Sequence, residues 1–277
     1  MSPTPTPPDP AALLATARAA ADAAARVHRR WLDRGPLPEA RQKGRADFVS
    51  KVDLESEAAA LEVIRERYPD AAILAEESGR SGMAVDDGTP LWVIDPLDGT
   101  TNFLHRHPDF CASVGVLMEG RPVVGAVTRA STGERWWAAP GAGAWRNAPA
   151  LGVEEERIRV SQLDDLEGAL VGTGFPFKLP RALPRYLAQL ERVLPSCSGV
   201  RRGGSAALDL CYLAQGSLDV FWEIHLSPWD IAGGLAILAQ AGGCWSEIDG
   251  RPLVVERGGS VLAANGPALR SALRALL

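Results

Sequence analysis

The N-terminal part of the chain has the apolar spacing of two helices. Residues 10–33 are mostly strong helix formers, and Gly35 and Pro36 end the run. A short extended piece, RADFVSKVD, leads into the second predicted helix. The apolar residues of that helix recur at helical intervals, at Leu54, Ala58, Leu61 and Ile64.

Short apolar runs follow this region and predict strands. AAILAEE (71–77) and WVID (92–95) are two of them. The polar loop between them, residues 78–90, is rich in glycine and serine, so we expect it to be mobile. Four further runs, separated by turn residues, predict an antiparallel sheet: FCASVGVLMEG, RPVVGAVTRA, ERWWAAP and GAWRN.

Strands and helices alternate after residue 150. The predicted strands are IRVS, GALVGTGF, SLDVFWEI and SVLAAN. The predicted helices are RALPRYLAQLERVL, AALDLCYLAQG, SPWDIAGGLAILAQAGG and GPALRSALRALL. Such a mixture predicts α+β or α/β layers. We expect a disordered, proline-rich leader over residues 1–9, an N-terminal α+β domain over 10–150 and a C-terminal α/β domain over 151–277.

Charge and cysteine content argue against several classes of protein. The 277 residues include 29 basic and 34 acidic ones, a net charge of −5, so no global basic field favours nucleic acid as a partner. The four cysteines are scattered without a CxxC pair, which argues against a disulfide framework and favours the reducing cytoplasm. No apolar run reaches the roughly 18 residues that a membrane span needs, so we expect no membrane partner.

Several acidic residues lie where a predicted strand ends or a predicted helix begins. They are the Glu76-Glu77 pair, Asp95, Asp98 and Asp230. Functional sites of α/β proteins form at such strand ends, so we expect carboxylates to converge there. Magnesium prefers oxygen ligands, and paired magnesium ions can activate water and stabilise a leaving oxygen in phosphate-ester hydrolysis. Glu77 follows Glu76 on a strand and would point the other way, so we leave it out of the ligand set.

The stretch LWVIDPLDGTTNF carries two of these acids. Pro96 cannot donate a backbone hydrogen bond, which predicts that the strand ends at Asp95. The turn that follows would let Asp98 face the same point as Asp95. The carbonyl of Leu97, between them, would then be available as a neutral oxygen ligand.

The end of the same stretch has features of a phosphate site. Gly99 lets the backbone approach a ligand closely, and the amides of Gly99 and Thr100 would cradle a phosphate if a helix starts there. The simpler alternative is a strand followed by an Asx turn. The DxDGT motif of haloacid-dehalogenase-type phosphatases does not fit, because Pro96 occupies the position of their nucleophilic aspartate.

Several segments in a fixed order resemble the inositol monophosphatase family. They are DFVSKVD, LAEESG, WVIDPLDGTTNF, GGSAALDLCYLAQGSLDVFWE and PWDIAGG, within residues 46–265. The TTNF segment and TGFPF (173–177) are similar to the bacterial inositol-1-phosphatase branch. The resemblance implies a layered αβαβα sandwich of the sugar-phosphatase type, a homodimer and inhibition by lithium.

The resemblance also implies a role for each acid. Glu76, Asp95 and the Leu97 carbonyl would hold a first magnesium ion, and Asp95, Asp98 and Asp230 a second. Glu76 would also help to hold a weaker third ion. The catalytic residues would be Asp53, Glu76 and Thr100, and the substrate contacts would be Asp98, Gly99, Thr100, Gly204, Ser205, Ala206 and Glu223.

Two of these motifs have a simpler structural interpretation. Asp230 lies in SPWD, where Ser227 would cap a helix and Asp230 would complete a capping box. With the other motifs present we prefer metal ligation, and both roles can coexist. His105 and His107, in HRHP, are more typical of a surface turn than of a zinc site.

The activity implied by the resemblance is hydrolysis of myo-inositol monophosphate to inositol and phosphate. A metal-bound water would attack phosphorus in line, without a phosphoenzyme. The alternatives are a fructose-1,6-bisphosphatase or dual-specificity sugar phosphatase, with Arg201 or Arg202 as distal-phosphate contacts, and a histidinol-phosphate phosphatase. A regulatory protein that binds RNA polymerase or RNA is a rival from another class, and it would be favoured by a degenerate metal site.

Overall fold

The computed structural model describes residues 8–44, 47–85 and 88–277. The predicted disordered leader, residues 1–9, lies outside this part of the chain except for its last two residues. Of these, Asp9 caps the first helix, because its Oδ1 accepts a hydrogen bond of 3.0 Å from the Ala11 amide.

The predicted helices are present close to their expected positions. They are α1 (Pro10–Asp33), α2 (Lys51–Arg67), α3 (Thr100–Leu104), α4 (Leu183–Val193), α5 (Ala206–Ala214), α6 (Pro228–Ala241) and α7 (Pro267–Arg274). Of these, α3 was predicted only conditionally, as a helix starting after Gly99. The first helix covers residues 10–33 as predicted, which follows from its run of strong helix formers.

Strands form two large sheets and one hairpin. They are β1 (Arg41–Gly44), β2 (Asp47–Val49), β3 (Ala72–Ala75), β4 (Gly79–Ser81), β5 (Leu91–Asp98), β6 (Cys111–Met118), β7 (Arg121–Arg129), β8 (Glu134–Ala139), β9 (Gly143–Ala148), β10 (Val153–Arg157), β11 (Leu170–Thr173), β12 (Gly199–Arg201), β13 (Val220–Leu226), β14 (Cys244–Glu247) and β15 (Gly259–Ala264).

The larger sheet has eight strands in the order β10-β9-β8-β7-β6-β5-β3-β4. Strands β5 to β10 form an antiparallel series, and β3 runs parallel to β5. The smaller sheet has five strands in the order β12-β11-β13-β15-β14, with β11 parallel to both neighbours. The antiparallel sheet predicted for residues 110–147 is therefore part of the larger sheet.

The elements stack in five layers. Helices α1 and α2 pack on one face of the eight-stranded sheet, while α6, beside α5, covers the other. A hydrophobic cluster joins these two helices to both sheets, with Val93 and Trp136 from the larger one and Phe221 from the smaller one. On the outer face of the smaller sheet, α4 and α7 bury Tyr186 and Leu269. This is the predicted αβαβα sandwich.

Two predicted features differ from the structure. IRVS (158–161) is not a strand, and the strand in this region is β10, which precedes it. The predicted polar loop 78–90 contains the short strand β4, which pairs with β3; its residues 86–87 lie outside the described part. The predicted domain boundary at residue 150 remains a prediction, and β10 extends the larger sheet beyond it.

None of the helices in residues 8–44, 47–85 and 88–277 combines the length and apolar character that a membrane span requires.

Candidate active site

The centre of the candidate site is a bulge in β5. All eight residues of this strand are buried. Pairing with β6 follows the strand to Asp95, skips Pro96 and Leu97, and resumes at Asp98. The prediction that the strand ends at Asp95 was therefore wrong. Proline interrupts the ladder because it has no N–H, and the extra residue is absorbed as a bulge.

Two hydrogen bonds hold the bulge in shape, and a further contact joins its Leu97 carbonyl to Thr100. The Leu97 amide donates to Asp95 Oδ1 at 3.0 Å, and Thr100 Oγ1 lies 3.1 Å from the Leu97 carbonyl oxygen. From α1, His28 Nε2 donates to the Pro96 carbonyl at 2.8 Å. Backbone groups that left the ladder are thus paired again, as buried polar groups require.

The bulge brings acids from separate segments together. Carboxylate oxygens of Asp95, Asp98 and Asp230 lie within 4.8 Å of one another. Asp230 comes from the first turn of α6, where its Oδ2 also accepts the Ser227 amide at 2.6 Å. The capping role considered for Asp230 therefore coexists with its position among the other acids.

Glu76 stands beside this group but is not part of the 4.8 Å set. It follows β3, and its amide donates to the Ile94 carbonyl at 3.2 Å, next to Asp95. The negative charge of Glu76 contributes to raising the pKa of Asp95. The structure therefore places the fourth predicted acid at the edge of the cluster.

The electrostatics of the cluster favour a bound cation. Burial is the largest cause that raises the pKa of Asp95 well above its usual value, followed by the charges of Glu76, Asp98 and Asp230. The pKa of Asp98 is raised to about 7 by burial and then by Asp230. Buried carboxylates in mutual repulsion are stabilised by protons or by a cation. A hard divalent ion with oxygen ligands fits this donor set.

Helix α5 holds Asp98 in place. The Oδ2 atom of Asp98 accepts hydrogen bonds from Ser205 Oγ at 2.6 Å and from the Ala207 amide at 2.8 Å. The N-terminus of a helix stabilises a carboxylate through its unpaired amides. The prediction for Ser205 concerns its backbone as a substrate contact and stays a prediction, while its hydroxyl is directed to Asp98. Ala206, also predicted, is the first residue of α5.

Thr100 and Asp53 form the predicted pair. Thr100 Oγ1 lies 2.8 Å from Asp53 Oδ1, so its single hydroxyl proton can be donated either to this carboxylate or to the Leu97 carbonyl. Asp53 Oδ2 accepts the Ser50 amide and hydroxyl at 2.8 and 2.6 Å, which closes the capping box of α2. Burial raises the pKa of Asp53, although hydrogen bonds from Ser50 and Thr100 oppose the shift.

Glu223 is a further acid close enough to the cluster to feel its charge. It lies in the middle of β13, and a Cβ atom at Gly174 would overlap its carboxylate, so the glycine is needed for this close approach. Burial raises the pKa of Glu223 to about 8, with further contributions from Asp230 and Asp98. The positive charges of Arg202 and Lys178 lower it.

Two glycines at predicted substrate-contact positions have backbone φ angles in the left-handed region. Gly99 has φ +90°, and a Cβ there would come within 2.8 Å of the Asp109 carbonyl. Gly204 also lies in the left-handed region, at φ +89°. The neighbouring carbonyl of Gly203 accepts a hydrogen bond of 2.9 Å from Asn102 Nδ2, which ties this turn to the segment after β5.

Some residues that build the site were missed by the sequence analysis. Buried Glu57 accepts the amides of Glu77 and Ser78 at 2.8 and 2.9 Å, and so fixes the turn that carries Glu76. Its position four residues after Asp53, on the same face of α2, was the available signal. His28 gave no such signal, because a single histidine in a helix has no characteristic spacing.

The histidines considered for zinc lie elsewhere. His105 and His107 are exposed in the turn after α3. His107 Nδ1 is 3.8 Å from Asp109 Oδ2, and neither histidine belongs to the acidic cluster among the described residues. This agrees with the interpretation of HRHP as a surface turn.

Comparison with known proteins decides the family. The model of the inositol monophosphatase family matches residues 9–277. The chain belongs to the inositol monophosphatase family. Membership supports a metal-dependent phosphatase that acts on a small phosphorylated substrate, and the acidic cluster is the part of the fold that can hold metal.

Individual relatives carry two kinds of name. The inositol-1-monophosphatase of Synechocystis sp. is 41% identical over 233 residues, 85% of this chain and 78% of that protein. Nus factor SuhB of Pasteurella multocida is 40% identical over 222 residues, 80% of each chain. Among solved structures, the extragenic suppressor protein suhB of Bartonella henselae superposes with a TM-score of 0.84 at 34% identity, covering 96% of this chain and 98% of the other.

Proposed function

We propose that this protein is a magnesium-dependent phosphomonoesterase that hydrolyses myo-inositol monophosphate to inositol and phosphate. The observation that carries the proposal is the convergence of Asp95, Asp98 and Asp230 within 4.8 Å, close to the Thr100–Asp53 hydrogen bond. Similarity to a protein named inositol-1-monophosphatase supports the choice of substrate.

Five oxygen donors would hold two or three magnesium ions. They are the carboxylates of Glu76, Asp95, Asp98 and Asp230 and the carbonyl of Leu97. When bound, the ions would supply the positive charge that activates water and stabilises the oxygen of the leaving alcohol. The buried setting of Asp95 and Asp98 strengthens this electrostatic effect, because water screens it less.

Proton transfer would be the task of Thr100 and Asp53. The Thr100 hydroxyl can accept a hydrogen bond from a water while it donates its own proton to Asp53 Oδ1, 2.8 Å away. A carboxylate whose pKa is raised by burial is a better proton acceptor than an exposed one. The water would thus be oriented for in-line attack on phosphorus, with Glu76 as a further acceptor.

Substrate would lie between the β5 bulge and Glu223. The amides of Gly99 and Thr100 would donate to the phosphate, and the backbone at Gly204 to Ala206 would line the inositol ring. Glu223 would accept hydrogen bonds from ring hydroxyls, most strongly in its ionised form. The nearby cations Arg202 and Lys178 favour that form, because they lower its pKa.

A panel of phosphate esters would test this proposal. We expect phosphate release from myo-inositol 1-phosphate with magnesium, loss of release in excess EDTA, recovery when magnesium is restored, and inhibition by lithium. Histidinol phosphate and fructose 1,6-bisphosphate are the comparison substrates. Full activity in EDTA, or no activity on any ester of the panel, would contradict the assignment.

A dual-specificity sugar phosphatase is the second candidate. Arg202 and Lys178 both act electrostatically on Glu223, and Arg202 stands over the rings of Phe175 and Phe177 at 5.6 and 5.2 Å. Two cations in electrostatic reach of Glu223 would suit a substrate with a second phosphate. Hydrolysis of fructose 1,6-bisphosphate at a rate comparable to inositol phosphate would favour this candidate.

A binding role remains the alternative from another class. One relative is named Nus factor SuhB, and a regulatory function would not need an intact acidic cluster. Each acid that we propose as a ligand is present in this chain, which favours catalysis. Stoichiometric co-purification with RNA polymerase or RNA, together with absent phosphatase activity, would reverse the ranking.

We further propose a homodimer. An apolar cleft of about 570 Å³ is lined by Phe175, Phe177 and residues of α4, and Phe177 and Leu187 are 52% and 53% exposed. A contact between two copies through Leu187 and its neighbours on α4 would cover this side of the cleft. Light scattering should give twice the mass of one chain, and Leu187→Glu should shift it to the monomer; a monomeric unaltered chain would contradict the proposal.

A further inference from the structure

His28 is a buried polar residue on the inner face of α1. It is 0% exposed, and its ring packs against Phe103 and Phe110 with centroids 6.0 and 5.8 Å away. Its Nε2 donates to the Pro96 carbonyl at 2.8 Å, whereas Nδ1 has no hydrogen-bond partner. The proton of the neutral ring therefore lies on Nε2, and the bond to Pro96 is the one hydrogen bond of this side chain among the described residues.

That contact fixes one peptide plane of the bulge. The Pro96 carbonyl and the Leu97 amide belong to the same planar unit. The carbonyl end is held by His28, and the amide end donates to Asp95 Oδ1 at 3.0 Å. The orientation of this plane thereby sets the direction of the Asp95 carboxylate.

The next peptide plane follows from the first. Its carbonyl is that of Leu97, the proposed neutral ligand, and this oxygen lies 3.1 Å from Thr100 Oγ1. The two planes meet at the Leu97 Cα, so a tilt of the first plane would displace both the Asp95 carboxylate bonded to it and the Leu97 carbonyl. Bulges and strand ends can adopt several conformations, so a fixed geometry needs contacts outside the ladder.

We propose that His28 is a positioning residue that sets the affinity of the site for divalent cations. This inference rests on the proposed function, because it assumes that Asp95 and the Leu97 carbonyl hold the ion. His28 lies behind the bulge and acts through the Pro96 carbonyl. The alternative is a core histidine that contributes only to packing.

Variants at position 28 separate these two roles. His28→Leu keeps apolar bulk but removes the donor. His28→Gln keeps an amide donor at a similar reach, whereas His28→Asn carries the same group on a shorter side chain that falls short of the Pro96 carbonyl. Leu13→Ala serves as the stability control, because Leu13 is buried at the other end of α1 in a different hydrophobic cluster.

Direct binding of Mn²⁺ is the measurement, since manganese takes the same oxygen ligands. Electron paramagnetic resonance of the free ion gives a Kd without any turnover. Contacts behind metal ligands typically change affinity at least tenfold, so we expect a Kd about tenfold higher in His28→Leu and His28→Asn. His28→Gln should stay within about threefold of the unaltered chain, as expected if the donor is restored.

Thermal unfolding in EDTA completes the test. Leu13→Ala should lower the unfolding temperature by removing core contacts but leave the Kd unchanged. Equal Kd values for the asparagine and glutamine variants would overturn the role of His28, and this pair decides the matter if His28→Leu does not fold. An unaltered chain that binds no Mn²⁺ would instead overturn the proposed function on which the inference rests.

Discussion

The β5 bulge differs from the mouth of the site, formed by Phe175, Phe177 and Arg202, in the contacts that hold its side chains. Asp95 and Asp98 are 2% and 9% exposed, and each accepts hydrogen bonds from the backbone. At the mouth, Phe175 and Phe177 are 37% and 52% exposed, and Arg202 stands over their rings. Buried groups with fixed partners suit chemistry, whereas exposed groups can change with the substrate. The comparison therefore predicts that reaction and substrate choice can be altered separately.

Removing one charge from the bulge should have the largest effect. Asp95→Asn keeps the shape and the acceptor for the Leu97 amide, but it loses the negative charge proposed to bind metal. We expect turnover at saturating magnesium to fall about a thousandfold, equivalent to ~4 kcal/mol of transition-state stabilisation. Asp164→Asn, an exposed carboxylate, is the control. Wild-type turnover in purified Asp95→Asn would remove the basis of the comparison.

Lowering the pH should destabilise the folded protein through His28, which donates a hydrogen bond to the bulge. Burial lowers the pKa of His28 from 6.5 to about 4, although the Pro96 carbonyl raises it slightly. The unfolded chain therefore binds a proton first, so the stability contribution is complete above pH 6.5 and declines as pH falls towards 4. The free energy of unfolding should fall by ~3 kcal/mol through this group. Urea unfolding in EDTA from pH 7.5 to 4 measures it, and an unchanged pH dependence in His28→Gln would contradict this reading.

Loss of a hydroxyl should weaken catalysis without removing the metal ligands. Thr100→Val keeps the shape of the side chain but cannot receive or donate a proton between the water and Asp53. We expect kcat to fall about a hundredfold, the usual scale of acid–base assistance. Thr100→Ser should recover most of it. Mn²⁺ affinity should stay close to that of the unaltered chain, and a parallel loss of affinity would assign Thr100 to the bulge alone.

A change at the mouth should act on one substrate class. Arg202→Ala removes a cation that contributes to the potential at Glu223. If the dual-specificity proposal holds, KM for fructose 1,6-bisphosphate should rise about tenfold, equivalent to ~1.4 kcal/mol. KM for inositol 1-phosphate should change less than twofold on the same scale. Arg121→Ala, an exposed arginine at the start of β7, is the control. Equal changes of KM for both substrates would contradict the proposed separation of reaction and substrate choice.

Sequence patterns predicted the helices and strands whose apolar residues recur at regular intervals. They failed where a segment pairs in a sheet without being buried, or is buried without pairing in a sheet. The strand β10, VEEER, is an edge strand with polar side chains, so no alternation announces it. IRVS has apolar residues because Ile158 and Val160 are buried in the core. Their amides donate to Ala144 and Ala241 respectively, without forming a strand ladder.

The sequence predicted the acidic residues of the site better than the residues that orient them. Strand ends pointed to Asp95 and Asp98, and the family resemblance gave Asp230 its place. The contacts that orient them come from far along the chain, such as Ser205 to Asp98 and His28 to Pro96, and no local spacing encodes them. The bulge itself was missed because proline both ends strands and permits bulges.

The hydrogen bonds from the start of α5 to Asp98 have a consequence for truncated forms of the protein. A fragment ending after β10 would retain Glu76, Asp95 and Asp98, most of the acids proposed to hold metal. It would lack Ser205 and the Ala207 amide, which hold the Asp98 carboxylate, as well as the aspartate on α6. Premature stops between positions 158 and 204 would therefore leave polypeptides with most of the proposed ligands but without the groups that hold Asp98 and without Asp230.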